Sequence, residues 1–336
     1  MAVEDAPKVS YQELYETLLS VLRKKGFAPG RAELCAKMFA DASRDGVASH
    51  GLNRFPRFIE MIAIGVIDVE AEPVPVARAG ALERWDGRRG PGNLNAWQSM
   101  DAAIALSRQH GIACVALSNT NHWMRGGTYG WQAADAGVIG ICWTNTLANL
   151  PPWGADEARV GNNPLVVGIP RGEAPVVLDM AMSQFSFGAL ESYRRRNQPL
   201  PVVGGYDPSG ELTRDAAAIE ATRRPLPIGY WKGSGLAMVL DMMAAVLSGG
   251  LSTHEISRDP LHETKLSQIF VALDPASLGA GGADVIDRIV TDLHAPVSGG
   301  GQPPKYPGER TLETRRRHIA EGIPVDPEIW RRVQEL

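Results

Sequence analysis

Apolar residues near the start of the chain recur at helical spacing. Leu14, Leu18, Leu19 and Leu22 make one stripe, and Ser10 with Glu13 ahead of it has the spacing of a capping box. Gly26 and the Pro29-Gly30 pair interrupt the stripe. The pattern resumes over about residues 31–43 and again over 55–64, so three helices are predicted and residues 1–72 read as a helical unit. The character changes at Glu70-Ala-Glu-Pro-Val-Pro, after which short apolar runs alternate with helical patterns. Strands are predicted in VALS, ending near Ser118, and in GVIGICWT, APVVLDMAM and SQIFVALD. Helices are predicted over 95–109, 184–196, 234–247 and 311–321. This alternation predicts an α/β sheet domain over 73–310, with residues 311–336 packing back on the helical unit because the last helix, from Pro327, is too short to stand alone. The Gly-rich segments 279–284 and 297–304 read as surface loops.

Composition narrows the class. The 336 residues are 44% hydrophobic and 21% charged with a formal net charge of −4, enough for a large core and two domains. Mild acidity and the absence of a basic stripe argue against nucleic acid or an anionic membrane as partner. The densest basic run, Arg315-Arg316-Arg317 beside Glu313 and Glu321, reads as a solvated helix face. Cys35, Cys114 and Cys142 show no paired spacing, and the last two sit in apolar runs as small hydrophobes. With no basic-then-apolar leader and no stretch of about 18 apolar residues, the chain is expected to be cytoplasmic.

Four constellations could carry chemistry. The first, Ser49-His50-Gly51-Leu-Asn53-Arg54, suits reduction of a 2-keto acid. The arginine can grip a carboxylate while the imidazolium protonates the carbonyl oxygen; alone, such a histidine is more often a helix cap or surface residue. The second, Asn119 to Gly127, follows a strand and compresses His122, Trp123 and Arg125 among glycines; its plain alternative is a polar loop with Trp123 as a core plug. The third joins Thr144-Asn145-Thr146, Pro151-Pro152-Trp153-Gly154 and Gly161-Asn162-Asn163-Pro164. Its amides could hold a carboxamide or sugar hydroxyls, or simply build turns. The fourth is Asp179, a carboxylate in so apolar a run that it must be paired or functional. Trp231-Lys232-Gly233-Ser234-Gly235 at a predicted helix start would favour an anion, or is only a tight entry into a core helix. A G-x-G-x-x-G fingerprint, a P-loop, a metal-spaced histidine cluster and a G-x-S-x-G elbow are all missing from the sequence.

Taken together, SHGLNRFPRFI, NHWMRGGTYGWQAA, GICWTNT, PPWGA, LDMAMSQFS, GYWKGSG and YPGER resemble the type-2 malate/L-lactate dehydrogenase family almost end to end. NHWMRGG and GYWKGSG are most similar to the branch that reduces 2,3-diketo-L-gulonate, with malate, lactate, sulfolactate, ureidoglycolate or a cyclic imino acid as the substrates of other branches. The resemblance implies a non-Rossmann three-layer α/β domain around a mixed sheet, beside a helical domain, in a homodimer. It implies NADH as the cofactor, with NADPH the alternative, and a small 2-keto acid as the substrate. His50 would be the proton donor, Arg54 would serve the substrate, and His122 would lie at the active site. Our own reading adds that Asp179 could orient a catalytic imidazole. The cofactor would be held by Pro175, Val176, Val177, Leu178, Asp179, Met180 and Ala181, by Trp231 and Lys232, and by Gly308, Glu309 and Arg310. Asn162 departs from the family pattern, which has Thr there. A non-catalytic regulator on the same fold is the contrasting class, and four chemical residues in register with the family argue against it.

Overall fold

A computed structural model describes residues 7–279, 282–296 and 303–336. Residues 280–281 and 297–302 of the Gly-rich segments predicted as loops lie outside them, and the loop expected over 279–284 is corrected at 283–284, where a helix begins. Helices α1 (Tyr11–Lys24), α2 (Pro29–Arg44) and α3 (Phe55–Ala63) form the N-terminal unit. Ser10 Oγ accepts from Glu13 N at 3.1 Å and starts α1. Leu14, Leu18 and Leu22 are fully buried. Phe39 of α2 meets Phe55 edge-on at 5.1 Å and lies 5.2 Å from Phe58, so aromatic packing locks α3 onto α2.

The seven strands of the main sheet, in chain order, are β1 (Val74–Ala79), β2 (Leu82–Asp86), β3 (Ile112–Asn121), β4 (Ile139–Thr144), β5 (Leu165–Ile169), β6 (Val176–Met180) and β7 (Thr264–Leu273). Their spatial order is β1-β2-β3-β7-β4-β5-β6. Only β2 and β3 pair in parallel; every other neighbour is antiparallel. This is the mixed sheet expected, and it explains why a parallel-sheet fingerprint is missing from the sequence. The expected strand end at Ser118 is corrected: β3 continues to Asn121, because Thr120 and Asn121 pair with Leu266 and Thr264 of the equally long β7.

The remaining helices are α4 (Gly92–His110), α5 (Gly127–Asp135), α6 (Phe187–Arg195), α7 (Ala216–Thr222), α8 (Trp231–Ser248), α9 (Thr253–Ile256), α10 (Ala283–Leu293), α11 (Glu309–Glu321) and α12 (Pro327–Gln334). Alternate strand residues face opposite layers. Val115, Leu117, Cys142 and Phe270 pack with Met100, Tyr129 and Ala133 of α4 and α5. Ala116, Trp143 and Ile269 pack with Ala237, Leu240 and Ala244 of α8. The three-layer arrangement follows. The first of these clusters continues without a break into α1, α2 and α3. Helix α11 packs on α2, and α12 packs on α1 and α3.

One basic residue corrects the reading of 315–317 as a solvated face. Arg316 and Arg317 are exposed, but Arg315 donates from Nε and Nη2 to Asp45 at 2.8 and 2.7 Å. Asp45, at the end of α2 with a side chain only 1% exposed, also receives Arg125 at 2.5 Å and Arg44 at 2.9 Å. Burial opposes its ionisation, yet the hydrogen bond from Arg315 and the neighbouring Arg125 and Arg44 hold its carboxyl well below the usual range. Three chain-distant segments meet on this one carboxylate.

Candidate active site

Two short 3-10 turns, Ala48–His50 and Leu52–Arg54, carry the first constellation. Ser43 fixes them: its hydroxyl donates to the Phe39 carbonyl and accepts from Leu52 N at 2.8 Å. A Cβ on Gly51 would overlap that hydroxyl, so only glycine lets the turn sit this close to α2. His122 follows the last residue of β3. Its Nδ1 accepts from Met124 N at 3.0 Å, a bond made possible by a left-handed backbone at Met124, φ 64°. Trp123, 2% exposed, is indeed a core plug, 5.4 Å from Tyr129 and 6.2 Å from Phe270. The rigid plug sets where its neighbour His122 stands.

The two histidines, 72 positions apart in the chain, stack with ring centroids 5.7 Å apart and planes 20° apart. They differ chemically. The Met124 amide needs a lone pair on His122 Nδ1, so neutral His122 carries its proton on Nε2 and acts as a hydrogen-bond donor. Charging it would place a second proton against that amide. His50 has no such lock, because its Nδ1 faces the Ser49 hydroxyl at 3.0 Å, a group that either donates or accepts. Burial, then Arg54 and Arg125, push His50 down to about 4. Burial, Arg54 and His50 push His122 well down.

Beside the pair is a cavity of about 270 Å³. Arg54 and Phe58 line it from the N-terminal unit, Asn121, His122 and Met124 from the end of β3, and Glu263 from the approach to β7. The Arg54 guanidinium lies 3.6 Å from the Glu263 carboxylate. No other side-chain or carbonyl acceptor is bonded to it among the described residues, which leaves room for a bidentate carboxylate. Arg125, 7% exposed, holds Asp45 and lies close enough to shift both His50 and Asp179. Glu263 and Arg125 were not singled out from the sequence as site residues. Arg125 stands in a quoted motif, whereas nothing local marks Glu263.

The imidazole-orienting role expected for Asp179 is corrected. Its carboxylate accepts from the Gly127 amide at 2.7 Å and so caps α5, where the free N–H groups of a helix start attract an anion. Neither histidine is bonded to it. Burial among protein atoms raises its pKa against Arg125 and the Gly127 amide, although one side of the residue stays open to solvent. The amides of the third constellation hold structure together. Asn145 and Asn163 are fully buried; Asn145 bonds Asp241, Leu251 O and Ser267 N, and Asn163 donates to Ala237 O. Asn162 accepts from Thr146 and Asn149 side chains at 3.2 and 3.1 Å, which is where its departure from threonine is spent.

Of the segments expected to hold a cofactor, two touch. Val177 N donates to Pro307 O at 2.9 Å, and a Cβ added to Gly308, at φ 96°, would stand 3.1 Å from Val177 N. Glu309 is engaged by Tyr306 N and His294, whereas Arg310 is exposed. Trp231 and Lys232 open α8 as exposed residues, after a strained Tyr230 with φ 61° and ψ −116°. The intervening chain is pinned nearby, since Ile228 N donates to Met182 O at 2.8 Å, one residue beyond Ala181.

Residues 9–334 match the family model described as malate/L-lactate dehydrogenase. The chain belongs to the malate/L-lactate dehydrogenase family. Among curated relatives, 2,3-diketo-L-gulonate reductase from Salmonella paratyphi A is 47% identical over 335 residues, covering 98% of this chain and 100% of the relative. Among solved structures, Δ1-piperideine-2-carboxylate reductase from Pseudomonas syringae is 30% identical with a TM-score of 0.85, covering 98% of this chain and 99% of that one. Sulfolactate dehydrogenase from Methanocaldococcus jannaschii is 25% identical with a TM-score of 0.89, covering 98% and 96%. As a member of this dehydrogenase family the protein is an oxidoreductase of the CH–OH and keto couple, which implies a nicotinamide cofactor.

Proposed function

We propose that the protein reduces 2,3-diketo-L-gulonate to 3-keto-L-gulonate with NADH: hydride goes to C2 and a proton to the C2 oxygen. The observation that carries the chemistry is the stacked pair of histidines, one locked as a donor and one free to titrate, beside an arginine with an open face. Arg54 binds the substrate carboxylate, which orients the adjacent ketone. His122 Nε2–H donates to the ketone oxygen and holds it through the charge change. His50 gives up its proton as the oxygen becomes basic. Its low affinity for a proton in the ligand-free site reflects burial and two nearby guanidiniums, and an anionic substrate on Arg54 offsets one of them.

The nicotinamide supplies the hydride when bound. Pro175 to Ala181, Trp231, Lys232 and Gly308 to Arg310 would hold the dinucleotide. They offer an edge strand, a glycine cradle, an exposed indole and two exposed cations, which suits sugar, base and diphosphate. Asp179 offers ribose hydroxyls an acceptor. Arg310 beside the site leaves NADPH as the alternative donor.

We further propose a homodimer in the cytoplasm. Met238, Val239, Met242 and Val246 of α8 are 45 to 78% exposed on one helix, an apolar patch of the kind that a second copy covers.

The test is NADH oxidation at 340 nm with 2,3-diketo-L-gulonate, pyruvate, oxaloacetate and Δ1-piperideine-2-carboxylate, each repeated with NADPH, for the wild type and His50→Gln. The diketo acid is expected to give the highest kcat/KM. His50→Gln is expected to lose at least about a hundredfold in kcat while still quenching with NADH. Near-wild-type turnover by that variant would move the proton-donor role to His122.

A further inference from the structure

The cavity beside the histidines carries one group that hydride reduction of a ketone does not require. Glu263 lines it with a side chain 19% exposed, at the approach to β7. A carboxylate set this deep costs solvation unless it has partners. Arg54 at 3.6 Å is a loose one, longer than a hydrogen bond, and the Leu147 amide is the other, so the carboxylate keeps lone pairs for a further donor. On the same wall Asn121 spends its side-chain N–H groups on the Arg89 and Gly90 carbonyls, at 2.8 and 2.9 Å. Its Oδ1, buried, has no partner. That oxygen is sealed from the cavity, so the acceptor this wall presents to a ligand is the Glu263 carboxylate. The cavity has a second cation, Arg57, but its Nη1 is taken by Glu60 and its Nη2 by Leu261 O, at 3.0 and 2.9 Å.

A small keto acid bound through its carboxylate to Arg54 must send the rest of its chain past this wall. A tail with hydroxyl groups meets the need for donors. A tail ending in a carboxylate meets a like charge in a partly dry site where, among the described lining residues, the cation besides Arg54 is already engaged.

We propose that Glu263 selects the substrate: its carboxylate accepts a hydrogen bond from a hydroxyl on the carbons beyond the reacting ketone, and its charge turns away acids that carry a second carboxylate there. The assignment deepens the reading of the protein as a reductase of a hydroxylated 2-keto acid and rests on it. Glu263 is a specificity residue and takes no part in proton or hydride transfer.

The experiment compares kcat/KM for 2,3-diketo-L-gulonate, oxaloacetate and pyruvate in the wild type and in Glu263→Gln, which removes the charge and keeps the shape. Pyruvate, with no tail, is the reference. The ratio of oxaloacetate to pyruvate is expected to rise at least tenfold in the variant, about 1.4 kcal/mol. The ratio of diketogulonate to pyruvate is expected to fall at least fivefold, chiefly through KM. If both ratios stay within twofold, or all three substrates lose rate in proportion because Arg54 has shifted, the proposal is overturned. Should the variant not fold, the wild type decides: oxaloacetate poorer than pyruvate supports the proposal, and the reverse order overturns it. A wild type that turns over pyruvate but not the diketo acid removes the proposed substrate, and the oxaloacetate ratio still judges Glu263 on its own.

Discussion

Asp45→Asn tests whether the buried ion cluster, which takes no direct part in the chemistry, holds the site together. In the native protein this carboxylate neutralises Arg44, Arg125 and Arg315, at 2.9, 2.5 and 2.7 Å, with almost no exposure to water. The amide is isosteric but leaves three guanidiniums crowded around a neutral group. Removing one partner of a buried ion pair costs about 3–5 kcal/mol, and here the loss falls on three pairs at once. A domain of ordinary stability has about 5–15 kcal/mol in hand, so the variant should unfold in urea with a loss of at least about 3 kcal/mol. The same change should lower kcat, because Arg125, which Asp45 anchors, belongs to the loop that carries His122 and lies close enough to shift His50. The pH dependence adds a signed check. The folded-state pKa of Asp45 is depressed, so its stabilisation is present above the ordinary carboxylate range and is lost as pH falls through the folded value. The gap between wild type and variant should therefore narrow toward acid pH. A stability loss under about 1 kcal/mol, with kcat unchanged, would refute the idea that this cluster positions anything.

Three further outcomes are expected. Because His50 is held near 4 in the free enzyme by burial, Arg54 and Arg125, kcat/KM for reduction should fall as pH rises from 5 to 8. The limb for kcat should lie at higher pH, since bound carboxylate offsets Arg54; a flat kcat/KM over that range would remove His50 as the acid. The same depressed imidazoles should make stability decline as pH drops from 6.5 toward about 4, as the unfolded chain takes up protons that the folded one refuses. Val246→Glu, at a position 78% exposed on α8, should halve the mass seen by sedimentation at micromolar protein. A wild type already monomeric at that concentration would sink the proposed dimer.

The elements legible in the sequence were those that carry their own local signal. Ser10 and the leucine stripe marked α1, and the unbroken apolar runs marked β4, β6 and β7. Strands β1 and β2 were missed because their side chains are largely exposed, so no alternation of apolar and polar residues announces them. Helix α10 was passed over because its glycine-rich surroundings dominate the local composition. At the site, His50, Arg54 and His122 were recognisable only as members of family motifs, since nothing in one-dimensional spacing says that two rings 72 residues apart will stack. Asp179 shows the opposite failure. A carboxylate in an apolar run did demand a partner, but the partner was a backbone amide at the start of the helix packed on its strand. Glu263 was invisible because its meaning lies in the arginine it faces, more than two hundred residues earlier.

The continuity of the main core gives the protein a property useful at the bench. Side chains of α1 to α3 and of the central strands share one packed cluster, and the keto-acid cavity is walled by both. The residues that grip a ligand cannot come apart without breaching that cluster, so occupancy of the cavity is thermodynamically linked to the melting of the whole chain. A ligand at a hundred times its dissociation constant adds about 2.7 kcal/mol to the folded state. Melting temperature alone, read without turnover or cofactor, can thus rank a library of sugar acids and keto acids by fit to Arg54 and Glu263.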